Sequence, residues 1–395
     1  MARFASLARF WLSRQVHEMG SIQVHPLTSI DELSGLGPRY DAMVLSAGDG
    51  GLFYQRAWLE RVWPHYRARL GATLSFLIAE QDGDFVGLAP LALRTKDWAH
   101  ARQRVLEFIG GTWDELDNWM PGFLFATRVP GEQADVMRAF AQTMARQRWD
   151  LLELRLVRAS CPSREVLQAQ FRGLRATPES LTTPRARIDS DWTSYWAGRS
   201  KRLTRIVERG RKRAAEDGVS IVHEVTSEIP VARRGEVEAI HGARQAQLRA
   251  SGRARNSPFE DPHAAQVFWS LLDWASSRGS LRMHWLRVAD RTAAYVVALH
   301  HANTTFAYFN AIDPSAERYH PGSLILASLI EHEVTEHGAV VIDMMAGANL
   351  TKALFATEDL VLTNMSVVNP DRPLAQTKHA WIRVARELTQ RLRRR

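Results

Sequence analysis

The stretch TTFAYFNAIDPSAERYHPGSLILASLIEHEVTE (304–336) decides how this chain folds. Aromatic and β-branched residues from Thr304 to Ala311 predict a strand. Asp313-Pro314 ends it, a short polar loop follows, and Pro321-Gly322-Ser323 opens a helix that runs to about Glu336. A polar loop that opens a helix aims first-turn N–H groups outward. Together with the helix dipole they suit a pyrophosphate, and Gly322 admits a close approach.

Working outward, LRMHWLRV (281–288) and AAYVVALHH (293–301) read as two more strands. Their connections, 289–292 and 302–303, have hairpin length. Upstream lie the alternating run VSIVHEV (219–225) and helical patterns over 237–248 and 264–275. Downstream come AVVIDM (339–344), a short helix at 350–356 and LVLTNMSVV (360–368). The order is β-α-α-β-β-β-α-β-α-β. The first half repeats it loosely. Strands are expected at 22–24, 74–80, 85–93, 104–110 and 150–157, and helices at 31–45, 57–65, 132–146 and 164–171. ATPESLTTP (176–184), with its two prolines, is the expected linker. The predicted organisation is a basic extension at 1–19, a first domain at 20–175, the linker, a second domain at 185–369, and a basic helix at 370–395.

The chain has 395 residues, 45% hydrophobic and 24% charged, which excludes a disordered or fibrous protein. No apolar run approaches the ~18 residues of a membrane span. The net charge of +8 comes from the ends. Arg3, Arg9 and Arg14 face only Glu18, and eight bases after residue 369 face only Asp371 and Glu387, so the body is neutral. Nucleic acid is therefore not an expected partner, while the basic ends suit an anionic membrane or polymer. Cys161 is the only cysteine, which excludes an intrachain disulfide and fits a cytoplasmic protein. His332 and His337 are five apart, about 140° around a helix, so the HEVTEH run lacks zincin spacing and no metal is expected. There is no G-x-S-x-G elbow and no P-loop. RSKRLTRIVERGRKR (199–213) is a basic helix, read as a solvated face or as an anion-handling one.

The element order resembles the GNAT acyltransferase fold, and Arg318-Tyr319-His320-Pro321-Gly322-Ser323 resembles its pyrophosphate loop in degenerate form. Further stretches are similar to the double-GNAT, CelD-like family associated with cellulose and exopolysaccharide biosynthesis, a relative of Fem-type aminoacyltransferases. They are Phe53-Tyr54-Gln55-Arg56-Ala57-Trp58-Leu59, then Ser200-Lys201-Arg202 through Gly218, then Ile240-His241-Gly242-Ala243-Arg244. Asp313-Pro314 with Tyr319 to Gly322, and Ile342-Asp343-Met344 with Gly347 and Lys352, complete the set.

The resemblance implies an α/β (α+β) fold of two tandem GNAT-like domains, each a mixed, mostly antiparallel sheet flanked by helices. It implies an acyltransferase that uses acetyl-CoA or another acyl-CoA, on a small-molecule, amino-sugar or polysaccharide-related acceptor. Arg318, His320, Gly322 and Ser323 would hold the donor. Arg244, Tyr308, Asn310 and Lys352 would line the substrate site. His241 is the expected base, or else a hydrogen-bonded helix histidine. Asp343 orients the acceptor, takes its proton, or is an ion-pair partner. Tyr319 and Tyr308 are the expected acids, with core packing the alternative for Tyr308. The other readings are an inactive scaffold of exopolysaccharide assembly and a Fem-like transferase that uses aminoacyl-tRNA.

Overall fold

The computed structural model describes residues 21–98, 101–110, 122–253, 257–347 and 349–393. The expected extension at 1–19 and most of the tryptophan-containing connection after Gly110 lie outside them. The first lobe contains β1 (Gln23–Leu27), α1 (Ile30–Gly35), α2 (Gly37–Ser46), α3 (Arg56–Leu70), β2 (Thr73–Leu74), β3 (Phe76–Gln81) and β4 (Asp84–Ala89). It continues with β5 (Leu91–Trp98), β6 (Ala101–Phe108), β7 (Leu124–Phe125), α4 (Pro130–Ala145), β8 (Leu151–Arg158), α5 (Ser163–Gln170) and β9 (Arg175–Arg187). The second lobe has α6 (Trp192–Ala197), α7 (Lys201–Glu216), β10 (Ile221–Thr226), α8 (Val231–Ala250), α9 (Pro262–Ser277), β11 (Leu281–Val288) and β12 (Arg291–His301). It ends with β13 (Thr304–Ile312), α10 (Pro321–His337), β14 (Val341–Asp343), α11 (Leu350–Phe355), β15 (Glu358–Val368) and the terminal α12 (Pro373–Arg393).

The two lobes repeat one topology, as their element orders predict. β6 pairs parallel with β8 across α4, and β13 pairs parallel with β14 across α10. The remaining ladders are antiparallel among the described residues. The expected strand 85–93 divides at Pro90, so that β4 joins a four-stranded sheet and β5 joins the large one.

The expected linker is a strand. β9 covers residues 175–187, pairs with β14 at Arg185–Arg187, and runs along β15. β15 in turn pairs with β8 of the first lobe. Each lobe thus donates its last strand to the other, and an eleven-stranded sheet runs through both. Pro178 and Pro184 argued for a loop because proline cannot donate to a ladder. The register breaks between Thr177 and Leu181, which accommodates Pro178, and the Pro184 carbonyl accepts from the Met344 amide at 3.1 Å.

The core is shared as well. Trp58 of α3 packs edge-on against Trp274 of α9 and Tyr308 of β13, at 6.0 and 5.6 Å between rings. The opposite face of the second lobe is closed by Leu203 and Val207 of α7 against Leu324, Ile325 and Leu329 of α10.

Candidate active site

The second lobe opens where two neighbouring strands part. β13 meets β14 only from Thr304 to Phe306, whereas its pairing with β12 continues to Ile312. Beyond Asp343 the chain stays with β9, since the Met344 amide bonds to Pro184 and continues that ladder. Residues 307–312 therefore border a wedge in the sheet. The opposite ladder shifts register there: Val297 faces Phe309 and Ala298 faces Ala307, which leaves Tyr308 as the extra residue of a bulge. Bulges re-aim the residues that follow them. Here Phe309 and Ala311 enter the core on the α8–α9 side, so Asn310 between them points to the α7–α10 side. Asn310 is the exposed residue of an otherwise covered strand.

The loop after β13 carries the chain to the mouth of this wedge. The Asp313 carboxylate accepts from the Ser315 amide at 2.8 Å and starts a 3-10 turn, Pro314–Tyr319. His320 then takes a left-handed conformation, φ 54°, and its carbonyl accepts from the amides of Ser323 and Leu324. The carboxyl-terminal part of α7 braces the turn. Arg213 donates to the Arg318 carbonyl at 2.7 Å, and its guanidinium lies 3.5 Å from His320 Nε2. Asp217 holds the Arg318 guanidinium at 3.0 Å and accepts from the Tyr319 hydroxyl at 2.6 Å. Burial, then the charges of Arg213 and Arg209, lower the His320 pKa, so the ring is neutral near pH 7. The amino end of a 17-residue helix thus sits beside two arginines, a ready anion site.

Gly210 makes this contact possible. A Cβ there would lie 2.4 Å from the Tyr319 carbonyl oxygen and 3.1 Å from Leu324. The signal in the sequence was a glycine interrupting a basic helix, at a cost of ~1 kcal/mol relative to alanine. At Gly322 an added Cβ would meet only Ile312, at 3.6 Å.

Several expected residues take other places. His241 is buried, stacked on Phe309 at 4.7 Å and edge-on to Phe259 at 5.4 Å. Its Nε2 lies 3.3 Å from Gln245 and its Nδ1 has no hydrogen-bond partner among the described residues. Burial pushes its pKa down to about 4. It packs on the sheet face opposite Asn310, against Phe309. Asp343 is fully buried, ion-paired to Arg185 at 2.7 Å through both Nε and Nη2, and accepts from the Met345 amide at 2.8 Å. Burial raises its pKa against the opposing pull of Arg185. It is a structural ion pair inside the sheet.

Tyr308 is a core residue between Phe53, Trp58 and Phe268. Tyr319 is engaged by Asp217, which raises its pKa, and so is a brace of the loop. Arg244 pairs with Glu317 at 3.4 Å, tying α8 to the same loop. Ser323 is buried in the first turn of α10. Lys352 sends its ammonium to the Met345 carbonyl at 3.4 Å, holding the chain that leaves β14. Asn310, His320 and Gly322 remain at the opening.

A separate cavity of about 440 Å³ lies at the junction of the lobes, lined in part by Tyr54, Arg128, Arg158, Cys161 and Thr304. None of the residues expected for the site lines it. Thr304 stands six strand positions from Asn310, roughly 20 Å away.

Residues 200–352 match the family model described as acetyltransferase (GNAT) domain, Acetyltransf_6. No curated protein matches the chain. The crystal structure of FemX is similar with a TM-score of 0.56 at 10% identity, over 90% of this chain and 99% of that one. The likeness shows a shared fold over both lobes. A tandem GNAT protein from the clavulanic acid biosynthesis pathway gives 0.45 at 13% identity, over 89% and 100%. L-PGS from Bacillus licheniformis gives 0.45 at 10% identity, over 81% and 95%. Among the described residues no helix is long and apolar enough to cross a membrane.

Proposed function

We propose that the chain is an acyl-CoA-dependent acyltransferase whose donor site is the wedge between β13 and β14. The carrying observation is the coincidence of that wedge with the start of α10, beside Arg209 and Arg213. The amide of Gly322 and the two guanidinium groups would meet the pyrophosphate. The edge of β13 beyond Phe306, where its pairing with β14 has ended, would hold the extended arm of the donor by main-chain hydrogen bonds, as an added strand is held. Backbone donors at the bulge would then stabilise the oxyanion that forms as the acceptor attacks the acyl carbonyl. Asn310 would orient the acceptor, and an amino sugar or another small saccharide-related molecule suits a polar site of this kind.

His241 and Asp343 are given no proton transfer in this scheme: the first is buried against Phe309 and the second is ion-paired to Arg185. Purified protein supplied with a panel of acyl-CoA donors and amino-sugar acceptors should release free thiol. Arg209→Ala and Arg213→Ala should each weaken donor binding in calorimetry. Absence of CoA binding by the folded protein would overturn the donor site. CoA binding without thiol release across acceptors would favour a binding protein.

A second reading, transfer from aminoacyl-tRNA, is favoured by the exposed bases Lys201, Arg202, Arg205, Arg209, Arg211 and Lys212 on α7. A salt-sensitive shift of tRNA by the protein would support it.

A further inference from the structure

Far from the wedge, near the carboxyl end of α10, three potential metal ligands converge. His284 on β11 and Glu333 on α10 are fully buried, and His332 is partly exposed. His284 Nε2 lies 3.3 Å from Glu333 Oε1, and His332 Nδ1 lies 3.4 Å from the same oxygen. The three atoms all fall within 4.8 Å of one another. None of the three makes a hydrogen bond among the described residues. Leaving a buried polar atom unsatisfied costs ~1–3 kcal/mol. Glu333 lies about 16 Å along the helix from Gly322, which separates this cluster from the donor site.

We propose that His284, His332 and Glu333 form a binding site for a divalent transition-metal ion of the zinc class. Bonds of ~2.0–2.1 Å at a tetrahedral angle place neighbouring ligand atoms ~3.3 Å apart. That is the spacing found between each imidazole nitrogen and the shared carboxylate oxygen. Two imidazoles and one carboxylate are a zinc-type donor set, and the partial exposure of His332 leaves a fourth position for water.

The surroundings prepare the ligands. His284 Nδ1 lies 3.1 Å from His223 Nε2 on the adjacent strand β10. With the His284 proton on Nδ1, donated to His223, its Nε2 lone pair faces the site. Glu333 Oε2 is occupied separately: it accepts from the Thr305 hydroxyl at 2.7 Å, and Arg282 stands 3.4 Å away. Oε1 is thereby presented to the ion. The cation of Arg282 opposes the metal, but it sits on the far oxygen of the carboxylate.

His332 and His337 lack the zincin spacing, and although their rings lie 5.2 Å apart, His337 is not one of the three converging ligands. The partner of His332 comes instead from its neighbour Glu333 and from a different element. The ion would pin α10 to the sheet through β11, independently of any acyl transfer.

The test uses the untagged full-length protein, stripped with a chelator and dialysed against Zn²⁺ or Co²⁺. One ion per chain should be retained, the thermal midpoint should rise, and bound Co²⁺ should show a tetrahedral spectrum. His332→Ala and Glu333→Gln should each lower affinity at least tenfold, while His263→Ala, on α9, should not. Glu333→Gln keeps an oxygen for Thr305; if it nonetheless fails to fold, the Co²⁺ spectrum of His332→Ala decides the matter. No stoichiometric ion at micromolar concentration, or unchanged binding by His332→Ala, would overturn the site.

Discussion

Burial holds the His241 pKa near 4, whereas an unfolded histidine titrates near ~6.5. The folded state therefore resists protonation, and the unfolded chain binds the extra proton between those values. Stability from this residue is complete above pH ~6.5 and falls as the pH drops towards 4, by on the order of 3 kcal/mol at the limit. Denaturant melts at several pH values should show a shallower acid loss for His241→Gln than for the natural chain. Equal slopes would mean that the ring is not desolvated in solution. Asp343 makes a different prediction. Asp343→Asn removes the buried carboxylate that pairs with Arg185 and should cost about 3–5 kcal/mol of stability. A melting curve unchanged by Asp343→Asn would contradict the buried pair.

At the scale of elements, the contact between α7 and the turn before α10 rests on Gly210. Gly210→Ala drives a methyl into the Tyr319 carbonyl, so α7 must move away. The overpacking should cost roughly 1–3 kcal/mol. It should also displace Arg213 from the loop and weaken CoA binding in calorimetry. Gly322→Ala meets only Ile312 at van der Waals distance, so its melting temperature should stay close to that of the natural protein. Retained CoA affinity in Gly210→Ala would show that α7 does not shape the anion site. Much at this scale was legible in the sequence. The helix start at Pro321, the strand before it and the basic helix at 199–213 follow from local pattern, and they stand in the structure. The role of Gly210 was not legible, because it depends on a carbonyl more than a hundred residues away.

Across the whole molecule, the reciprocal exchange of β9 and β15 joins the lobes through backbone hydrogen bonds. The shared core around Trp58, Trp274 and Tyr308 adds to that union. The protein should unfold in one cooperative transition, with far-ultraviolet and tryptophan signals coinciding. The second lobe expressed alone from residue 189 would lose β9, exposing the edges of β14 and β15. It should aggregate or remain unfolded; a soluble, cooperatively melting fragment would refute the exchange as a requirement.

Local pattern alone determined the duplicated element order and the loop that opens α10, because alternation, helical period, proline and glycine act over a few residues. Tertiary structure decided the rest. It made a strand of 176–184, since pairing partners on β14 and β15 overrode two prolines. It set the surroundings of His241 and Asp343, a stacked aromatic ring for the one and an arginine from another strand for the other, which the sequence alone does not give. It also gathered His284 with His332 and Glu333, residues about fifty positions apart that share no motif, because packing α10 on the sheet brings their side chains to one point.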